Sequence, residues 1–231
     1  MSTPLLFVPG MMCDVRLFAP QLDAFSAHLS VQIAAVPNLN TISEIASNIL
    51  AHAPPRFALV GLSMGGIIAM EMWRLAPERI DRLALLDTNP RAELSAVAEG
   101  RAAQIERAEN GQLLDMMRDT FIPKYVDNPA DHPAIVATCV EMAEAKGAAA
   151  FKSQSRALRD RPDQCETLKA VNVPTLIMCG ENDQLCPIER HVMMHDLIKG
   201  SVLEIIPDAG HLPTLEKPTE TNKALQNWLA T

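Results

Sequence analysis

The chain has 231 residues, 48% of them hydrophobic, and a formal net charge of −8 at pH 7. This length suits one large α/β domain, with or without a small insertion, and the apolar content is ample for a buried core. A negative surface repels the phosphates of nucleic acids and anionic membranes, so the charge argues against partners of both kinds.

The cysteines and the N-terminus bear on the compartment and on metal binding. The five cysteines are widely spaced, and no Cys-x-x-Cys motif or Cys/His cluster indicates zinc. We expect free, mostly buried thiols in a reducing cytoplasm. The N-terminal apolar run is too short for a signal peptide, and no apolar stretch approaches the roughly 20 residues that span a bilayer. The sequence therefore predicts a soluble cytoplasmic protein.

Six short apolar segments predict β-strands that are buried on both faces. These segments are residues 5–8, 31–36, 57–61, 83–86, 175–179 and 202–206. Amphipathic or apolar segments between them predict helices near residues 14–29, 43–53, 64–76 and 218–229. Because strands alternate with helices, we expect an α/β fold with a doubly wound, mostly parallel sheet of about six strands.

Residues 91–170 interrupt this alternation. They contain no convincing strand and are rich in Ala, Glu, Arg and Met. Helix-like stretches lie near residues 92–109, 112–120, 133–145 and 148–159. We predict a helical cap over residues 91–170, inserted into a core formed by residues 1–90 and 171–231.

The first candidate for chemistry is Ser63, in the pattern Gly61-x-Ser63-x-Gly65. The bare pattern is weak, because a chain of this length contains it by chance in about one case in ten at average residue usage. Its context is more specific, since it joins an apolar strand to an apolar helix. Small residues let the chain turn sharply there, so that the serine projects over the helix N-terminus. Ser63 is the candidate nucleophile, with plain helix capping as the alternative.

A serine hydroxyl needs a base, and His211 is the best placed histidine. It follows the last predicted strand in a loop, and such loops form the ligand-binding edge of an open α/β sheet. An exposed loop histidine is the alternative. We expect the remaining five at helix ends, in a proline-rich loop or on a solvated helix face: His28, His52, His132, His191 and His195.

The base in turn needs a carboxylate to orient it. Asp183 follows the strand before His211, and it gives the chain order Ser, Asp, His that is found with the nucleophile-elbow serine. Asp87, at the end of an earlier strand, is the main rival. Glu181 and Asp208 are weaker alternatives.

Three segments resemble motifs of the α/β-hydrolase superfamily and occur in the family's order: Gly61-Leu-Ser-Met-Gly-Gly, Gly180-Glu-Asn-Asp and Ala209-Gly-His-Leu-Pro. The resemblance covers nearly the whole chain. It implies a Ser63–Asp183–His211 triad, an acyl-enzyme mechanism, and no need for a cofactor or a metal. It also implies that the backbone N–H groups of Met11 and Met64 form the oxyanion hole. The chain departs from the family in two places: it starts almost at the oxyanion strand, and it has Pro9-Gly10 where His-Gly is common.

The substrate can be narrowed only to a small molecule. Candidates for an apolar cap lining are Met116, Met117, Phe121 and Met142, although plain core packing competes with that interpretation. Arg91 is a candidate for binding a substrate carboxylate. A solvated or structurally paired arginine is the alternative.

Several reactions stay open. Hydrolysis of a carboxylic ester comes first, followed by carbon–carbon bond hydrolysis of a diketone-like ring-cleavage product, and then by thioester, amide and lactone hydrolysis. A non-catalytic ligand receptor on the same scaffold is an alternative from another class. Dehalogenation is disfavoured, because the related dehalogenases place Asp where this chain has Ser63. The sequence does not determine the oligomeric state.

Overall fold

The computed structural model describes residues 3–231 and contains one six-stranded sheet in the order β2-β1-β3-β4-β5-β6, with every neighbouring pair parallel. The strands are β1 (Leu5–Val8), β2 (Val31–Ile33), β3 (Phe57–Leu62), β4 (Ile80–Leu86), β5 (Thr175–Gly180) and β6 (Val202–Ile206). The predicted α/β class and the number of strands are confirmed.

Two strands differ by more than one residue from their predicted bounds, for local reasons. β2 ends at Ile33. The Ala34 N–H still donates to the Phe7 carbonyl, but the chain then leaves the sheet as it approaches Pro37. β4 begins at Ile80 rather than at residue 83. The second residue of β4 is Asp81, whose carboxylate pairs with Arg56. The apolar pattern missed the start of this strand because its first residues include polar ones.

The helices cover most of the chain between the strands. They are α1 (Ala19–Phe25), α2 (Ile42–His52), α3 (Met64–Leu75), α4 (Ser95–Arg107), α5 (Leu113–Met116), α6 (Pro133–Arg159), α7 (Cys165–Lys169), α8 (Ile188–Leu197), α9 (Pro213–Glu216) and α10 (Pro218–Ala230). Short 3-10 turns lie at Val15–Phe18, Pro77–Arg79 and Ile122–Lys124, and π-helical turns at Ala108–Gln112 and Met117–Phe121. No helix among the described residues is long and apolar enough to cross a membrane.

The sheet separates two hydrophobic clusters, because alternate strand residues point to opposite faces. Leu5 and Phe7 of β1 pack into one cluster, and Leu6 and Val8 into the other. The second cluster holds the apolar faces of α2, α3 and α8. The first holds α1, α10 and most of the helical segment between β4 and β5, whereas Leu158 of α6 and Leu168 of α7 belong to the second.

The chain between β4 and β5 is helical over its ordered elements, as predicted. The two stretches predicted near 133–145 and 148–159 form the single long α6, which changes direction at Gly147, where φ is 73°. These helices share a hydrophobic cluster with the sheet. The division into a core and a cap at residues 91 and 170 therefore stays a prediction.

The strand order positions the site. From β1 the chain passes first to β2 on one side and later to β3 on the other, so the strand order reverses at β1. Ligands of open α/β sheets bind outside the carboxyl ends of the strands at such a switch point. The loop that contains Met11 follows β1, and Ser63 follows β3.

Candidate active site

Ser63 occupies a sharp turn between β3 and α3. Its φ is 56° and its ψ is −118°, a strained conformation for a residue other than glycine. The turn depends on two glycines with no room for a side chain. A Cβ on Gly61 would lie 2.3 Å from the Gly65 carbonyl oxygen, and a Cβ on Gly65 would lie 1.9 Å from the Val8 carbonyl oxygen. This geometry is that of a nucleophile elbow.

Thr88, which follows β4, supports the elbow from the side. Its hydroxyl donates to the Ser63 carbonyl at 2.7 Å, and its side chain fills the space beside Gly66. Its backbone N–H donates to His191 Nε2 at 3.1 Å. Sequence reasoning missed this support, because the contacts join residues from three separate elements.

His191 is fully buried, so the prediction that it is solvated is wrong. α8 turns this side chain toward the ends of β4 and β5. Burial lowers the pKa of His191 to about 4, which keeps the ring neutral. The neutral ring donates from Nδ1 to the Pro187 carbonyl at 3.3 Å and accepts at Nε2. His195 on the same helix is half-buried and contacts the Ser201 hydroxyl at 2.8 Å.

His211 and Asp183 form a buried pair, with 2.8 Å between His211 Nδ1 and Asp183 Oδ2. The other carboxylate oxygen accepts from the backbone N–H groups of Leu185 and Cys186 at 2.8 and 3.0 Å. Burial by itself would raise the pKa of Asp183, but His211 and these two N–H groups hold the pKa below its ordinary value. The ionised carboxylate therefore keeps the proton of His211 on Nδ1 and leaves Nε2 available as a base.

The rival acid, Asp87, lies beside Asp183 and does not contact His211. Its Oδ1 accepts the Gly180 N–H at 2.9 Å, and the side chain is completely buried. Burial, together with the negative charge of Asp183, raises the pKa of Asp87 well above its ordinary value. The surroundings of Asp87 thus favour its neutral form. The two weaker alternatives, Glu181 and Asp208, are exposed.

Glu216 on α9 fixes the loop that carries His211. Its carboxylate accepts from the backbone N–H groups of Gly210 and Leu212, at 3.0 and 3.1 Å, on either side of the histidine. It also accepts from the Asp127 N–H at 2.8 Å, and this bond joins the loop to the helical segment between β4 and β5. Glu216 was not predicted. The available signal was a glutamate close to the candidate base, five residues after His211.

The Met11 and Met64 backbone N–H groups are both available to an oxyanion. Neither has a hydrogen-bond partner within residues 3–231, and Met64 is the first residue of α3, where helix N–H groups lack intrahelical acceptors. The Met11 loop is held from α6, because the Met12 N–H donates to Gln154 Oε1 at 2.9 Å. Sequence reasoning missed this contact between elements 142 residues apart.

One cavity of about 380 Å³ brings Ser63, His211, Met11 and Met64 together. This volume is at the low end of the roughly 300–1,000 Å³ of small-molecule sites. Ser63 and His211 share no hydrogen bond within the described part of the chain, and catalytic contacts of this kind often tighten only when substrate binds. Phe121 lines the cavity as predicted for the cap.

Four of the predicted substrate-binding candidates lie elsewhere. Met116 and Met142 are fully buried in the core, where Met142 Sδ accepts the Asp14 N–H at 3.4 Å, and Met117 is buried with them. The cap helices turn these methionines inward. Arg91 is exposed, and its Nε contacts Met193 Sδ at 3.3 Å outside the cavity lining.

Asp183, His211 and the Cys186 thiol have ligand atoms within 4.8 Å of one another, a spacing that a metal site requires. The donor set does not favour one. Burial and the negative charge of Asp183 raise the pKa of Cys186 well above its ordinary value, whereas a cysteine ligand is a thiolate. His211 Nδ1 and Asp183 Oδ2 are also engaged with each other. We assign no metal to this cluster.

A family model described as the alpha/beta hydrolase family matches residues 5–224. The chain belongs to this family. This α/β hydrolase is 24% identical over 206 residues to the pimeloyl-[acyl-carrier protein] methyl ester esterase of Aliivibrio salmonicida (strain LFI1238), which covers 80% of this chain and 73% of the relative.

Solved structures have the same fold. A thermophilic esterase from Thermogutta terrifontis, described with malate bound, matches with a TM-score of 0.89 and 26% identity, covering 100% of this chain and 90% of that one. The enol-lactonase from Burkholderia xenovorans LB400 matches with a TM-score of 0.89 and 21% identity, covering 100% and 93% of the two chains.

Proposed function

We propose that this α/β hydrolase cleaves carboxylic esters of small molecules through a covalent acyl-enzyme on Ser63. The observation that carries the proposal is the buried 2.8 Å contact between His211 and Asp183, at a cavity that also contains the strained Ser63. A nucleophile, a base and a group that orients the base are the parts that acyl transfer requires.

The first half of the reaction forms the acyl-enzyme. His211 Nε2 takes the proton of the Ser63 hydroxyl as the serine oxygen attacks the ester carbonyl, and Asp183 stabilises the imidazolium that results. The N–H groups of Met11 and Met64 donate to the tetrahedral oxyanion, where one such donor contributes about 3–4 kcal/mol. His211 then gives its proton to the leaving alcohol, and the carbon–oxygen bond breaks.

The second half repeats these steps with water. His211 takes a proton from a water molecule, which attacks the acyl carbonyl, and the same two N–H groups bind the second oxyanion. When the bond to Ser63 breaks, His211 returns its proton to the serine oxygen. The carboxylic acid leaves, and the enzyme is restored.

The proteins named above support an ester as the bond that is cleaved. Two are named as esterases and one as an enol-lactonase, and a lactone is a cyclic ester. Thioesters, amides and diketone carbon–carbon bonds use the same groups and stay alternatives. A ligand receptor would have no use for the complete set of three catalytic side chains.

The test is steady-state turnover of a panel that contains one member of each class: an aryl ester, a lactone, a thioester, an anilide and a ring-cleavage diketone. We expect the highest kcat/KM on an ester or lactone and its loss in Ser63→Ala. Ser47→Ala, an exposed serine on α2, is the matched control and should keep wild-type rates. Absence of turnover across the panel would overturn the proposal in favour of a receptor.

A further inference from the structure

The charged residues of the cavity have the opposite sign to the whole chain. Four cations line it, namely Arg101, Arg161, Arg190 and Lys124. Glu93 is the one carboxylate among the described residues of the lining. The chain as a whole has a formal charge of −8. A cleft lined by one sign of charge concentrates ligands of the opposite sign.

Three of these residues form a buried cluster, Arg101–Glu93–Arg161. Glu93 Oε1 contacts Arg161 Nη1 at 2.5 Å, and Glu93 Oε2 accepts from Arg101 Nε. The side chains are 9%, 5% and 10% exposed for Arg161, Glu93 and Arg101. One carboxylate offsets only one of the two guanidinium charges, so the cluster keeps one positive charge away from water.

The second guanidinium acts on the pKa of Arg161. Burial lowers the pKa of Arg161, Glu93 opposes this change, and the nearby Arg101 lowers the pKa further. An incompletely paired buried charge is costly, and a second guanidinium that shares one carboxylate adds to that cost in a purely structural network. A bound anion would supply the missing negative charge.

Donors for such an anion are available. Within residues 3–231, Arg101 donates to the protein only through Nε, so its two terminal amino groups have no protein partner. Arg190 and Lys124 have no carboxylate within salt-bridge distance in the same range. In the proposed reaction the backbone N–H groups of Met11 and Met64 bind the oxyanion, so these cations are not needed for that purpose.

We propose that the cavity selects esters that carry a second, anionic group, a carboxylate or a phosphate, which the Arg101–Glu93–Arg161 cluster and Arg190 bind while the ester lies at Ser63. This inference rests on the proposed ester hydrolysis. Arginine suits the task, because its planar guanidinium matches carboxylate and phosphate oxygens and keeps its charge. The small cavity requires a compact substrate.

The test compares esters with one leaving group and one acyl length. They are para-nitrophenyl hydrogen adipate, its neutral methyl ester, and para-nitrophenyl phosphonopentanoate. The readout is the ratio of kcat/KM for each anionic ester to that for the neutral ester. We expect a ratio of about ten or more, from the usual strength of charge-assisted hydrogen bonds. The larger of the two ratios identifies carboxylate or phosphate as the preferred anion.

Variants assign the preference to the cluster. Arg101→Gln and Arg190→Gln should bring the ratio close to one. Arg190 is half-buried and lacks an ion pair, so its variant should fold even if Arg101→Gln does not. Arg107→Gln on the same helix as Arg101 is the matched control, since Arg107 is exposed and outside the lining, and it should keep the wild-type ratio. A wild-type ratio near one, or a ratio that both cavity variants keep, would overturn the inference.

A binding measurement separates this inference from the proposed function. Adipate should raise the Tm of the wild type and of Ser63→Ala, and should not raise the Tm of Arg190→Gln. If no ester is cleaved while adipate still stabilises the wild type, ester hydrolysis fails and the anion site stands. If the neutral ester is cleaved by Ser63 and adipate has no effect on Tm, the anion site fails and ester hydrolysis stands.

Discussion

The carboxyl groups of Asp87 and Asp183 are buried together at the ends of the neighbouring strands β4 and β5, and only Asp183 contacts His211. Asp87 Oδ2 has no hydrogen-bond partner within residues 3–231, and burial beside the charge of Asp183 favours the protonated form of Asp87. The surroundings of the two acids thus shift their pKa values in opposite directions.

The first prediction follows from this difference. Asp183→Asn should lower kcat by about 10⁴, because an amide cannot hold the required tautomer of His211. Asp87→Asn should cost far less, since its amide can still accept from Gly180 N–H and donate to Asp183. Steady-state kinetics of both variants, with folding checked by circular dichroism, provide the measurement. If Asp87→Asn is the crippled variant, Asp183 is not the orienting acid.

The second prediction concerns pH and stability. In the folded protein the pKa of His191 is about 4, whereas an unfolded histidine titrates near 6.5. Below about 6.5 the unfolded state therefore binds the extra proton, so the free energy of unfolding falls as pH drops from 6.5 toward 4. The loss should reach about 3 kcal/mol for this residue.

The matched variant is His191→Gln, whose amide can accept the Thr88 N–H without titrating. Asp87 changes stability with the opposite sign in this pH range, because its folded pKa is raised. Urea unfolding of the wild type and of His191→Gln at several pH values isolates the histidine. As the pH falls from 6.5 to 4, the wild type should lose about 3 kcal/mol of unfolding free energy relative to His191→Gln. A difference independent of pH would show that His191 is protonated equally in both states.

The third prediction concerns Glu216. Glu216→Gln removes the charge that three backbone N–H groups share, and hydrogen bonds to charged groups contribute about 1.5–3 kcal/mol. We expect a lower Tm and a fall in kcat of about tenfold or more, with a smaller change in KM, because the His211 loop shifts. Glu220→Gln, an exposed glutamate on α10, should leave both quantities unchanged. Equal behaviour of the two variants would exclude a positioning role for Glu216.

The fourth prediction concerns Gln154. Gln154→Met keeps the length of the side chain and removes the acceptor for the Met12 N–H. We expect kcat to fall by about tenfold, the usual effect of losing one hydrogen bond that holds a catalytic group, with little change in KM. The test is the kinetics on one neutral ester. A rise in KM at constant kcat would instead place Gln154 in substrate binding.

Much of the fold follows from local sequence. β1, β3 and β5 are buried on both faces, so nearly all of their residues are apolar. Their composition alone therefore identifies them as strands. The predicted start of β4 lies three residues too late, because Asp81 and Arg82 near its beginning are polar. The positions of Ser63, Asp183 and His211 after strands also placed them at one edge of a parallel sheet, where the structure brings them together.

The rest depends on contacts that connect distant residues. The choice between Asp87 and Asp183 rests on which carboxyl reaches His211, and Glu216 and Gln154 act on loops supplied by other elements. Composition likewise could not tell whether Met116 and Met142 face the cavity or the core. The charge of the cavity is hidden for the same reason, because its arginines come from separate segments of an acidic chain.

Active-site phosphonylation shows whether Ser63 is the residue that forms a covalent bond during turnover. A para-nitrophenyl phosphonate ester should add one adduct per chain by intact mass, release one equivalent of nitrophenol and abolish esterase activity. Peptide mapping should place the adduct on Ser63, and Ser63→Ala should remain unlabelled and inactive while Ser47→Ala behaves as the wild type. An adduct on another residue, together with full ester hydrolysis by Ser63→Ala, would show that Ser63 is not the nucleophile.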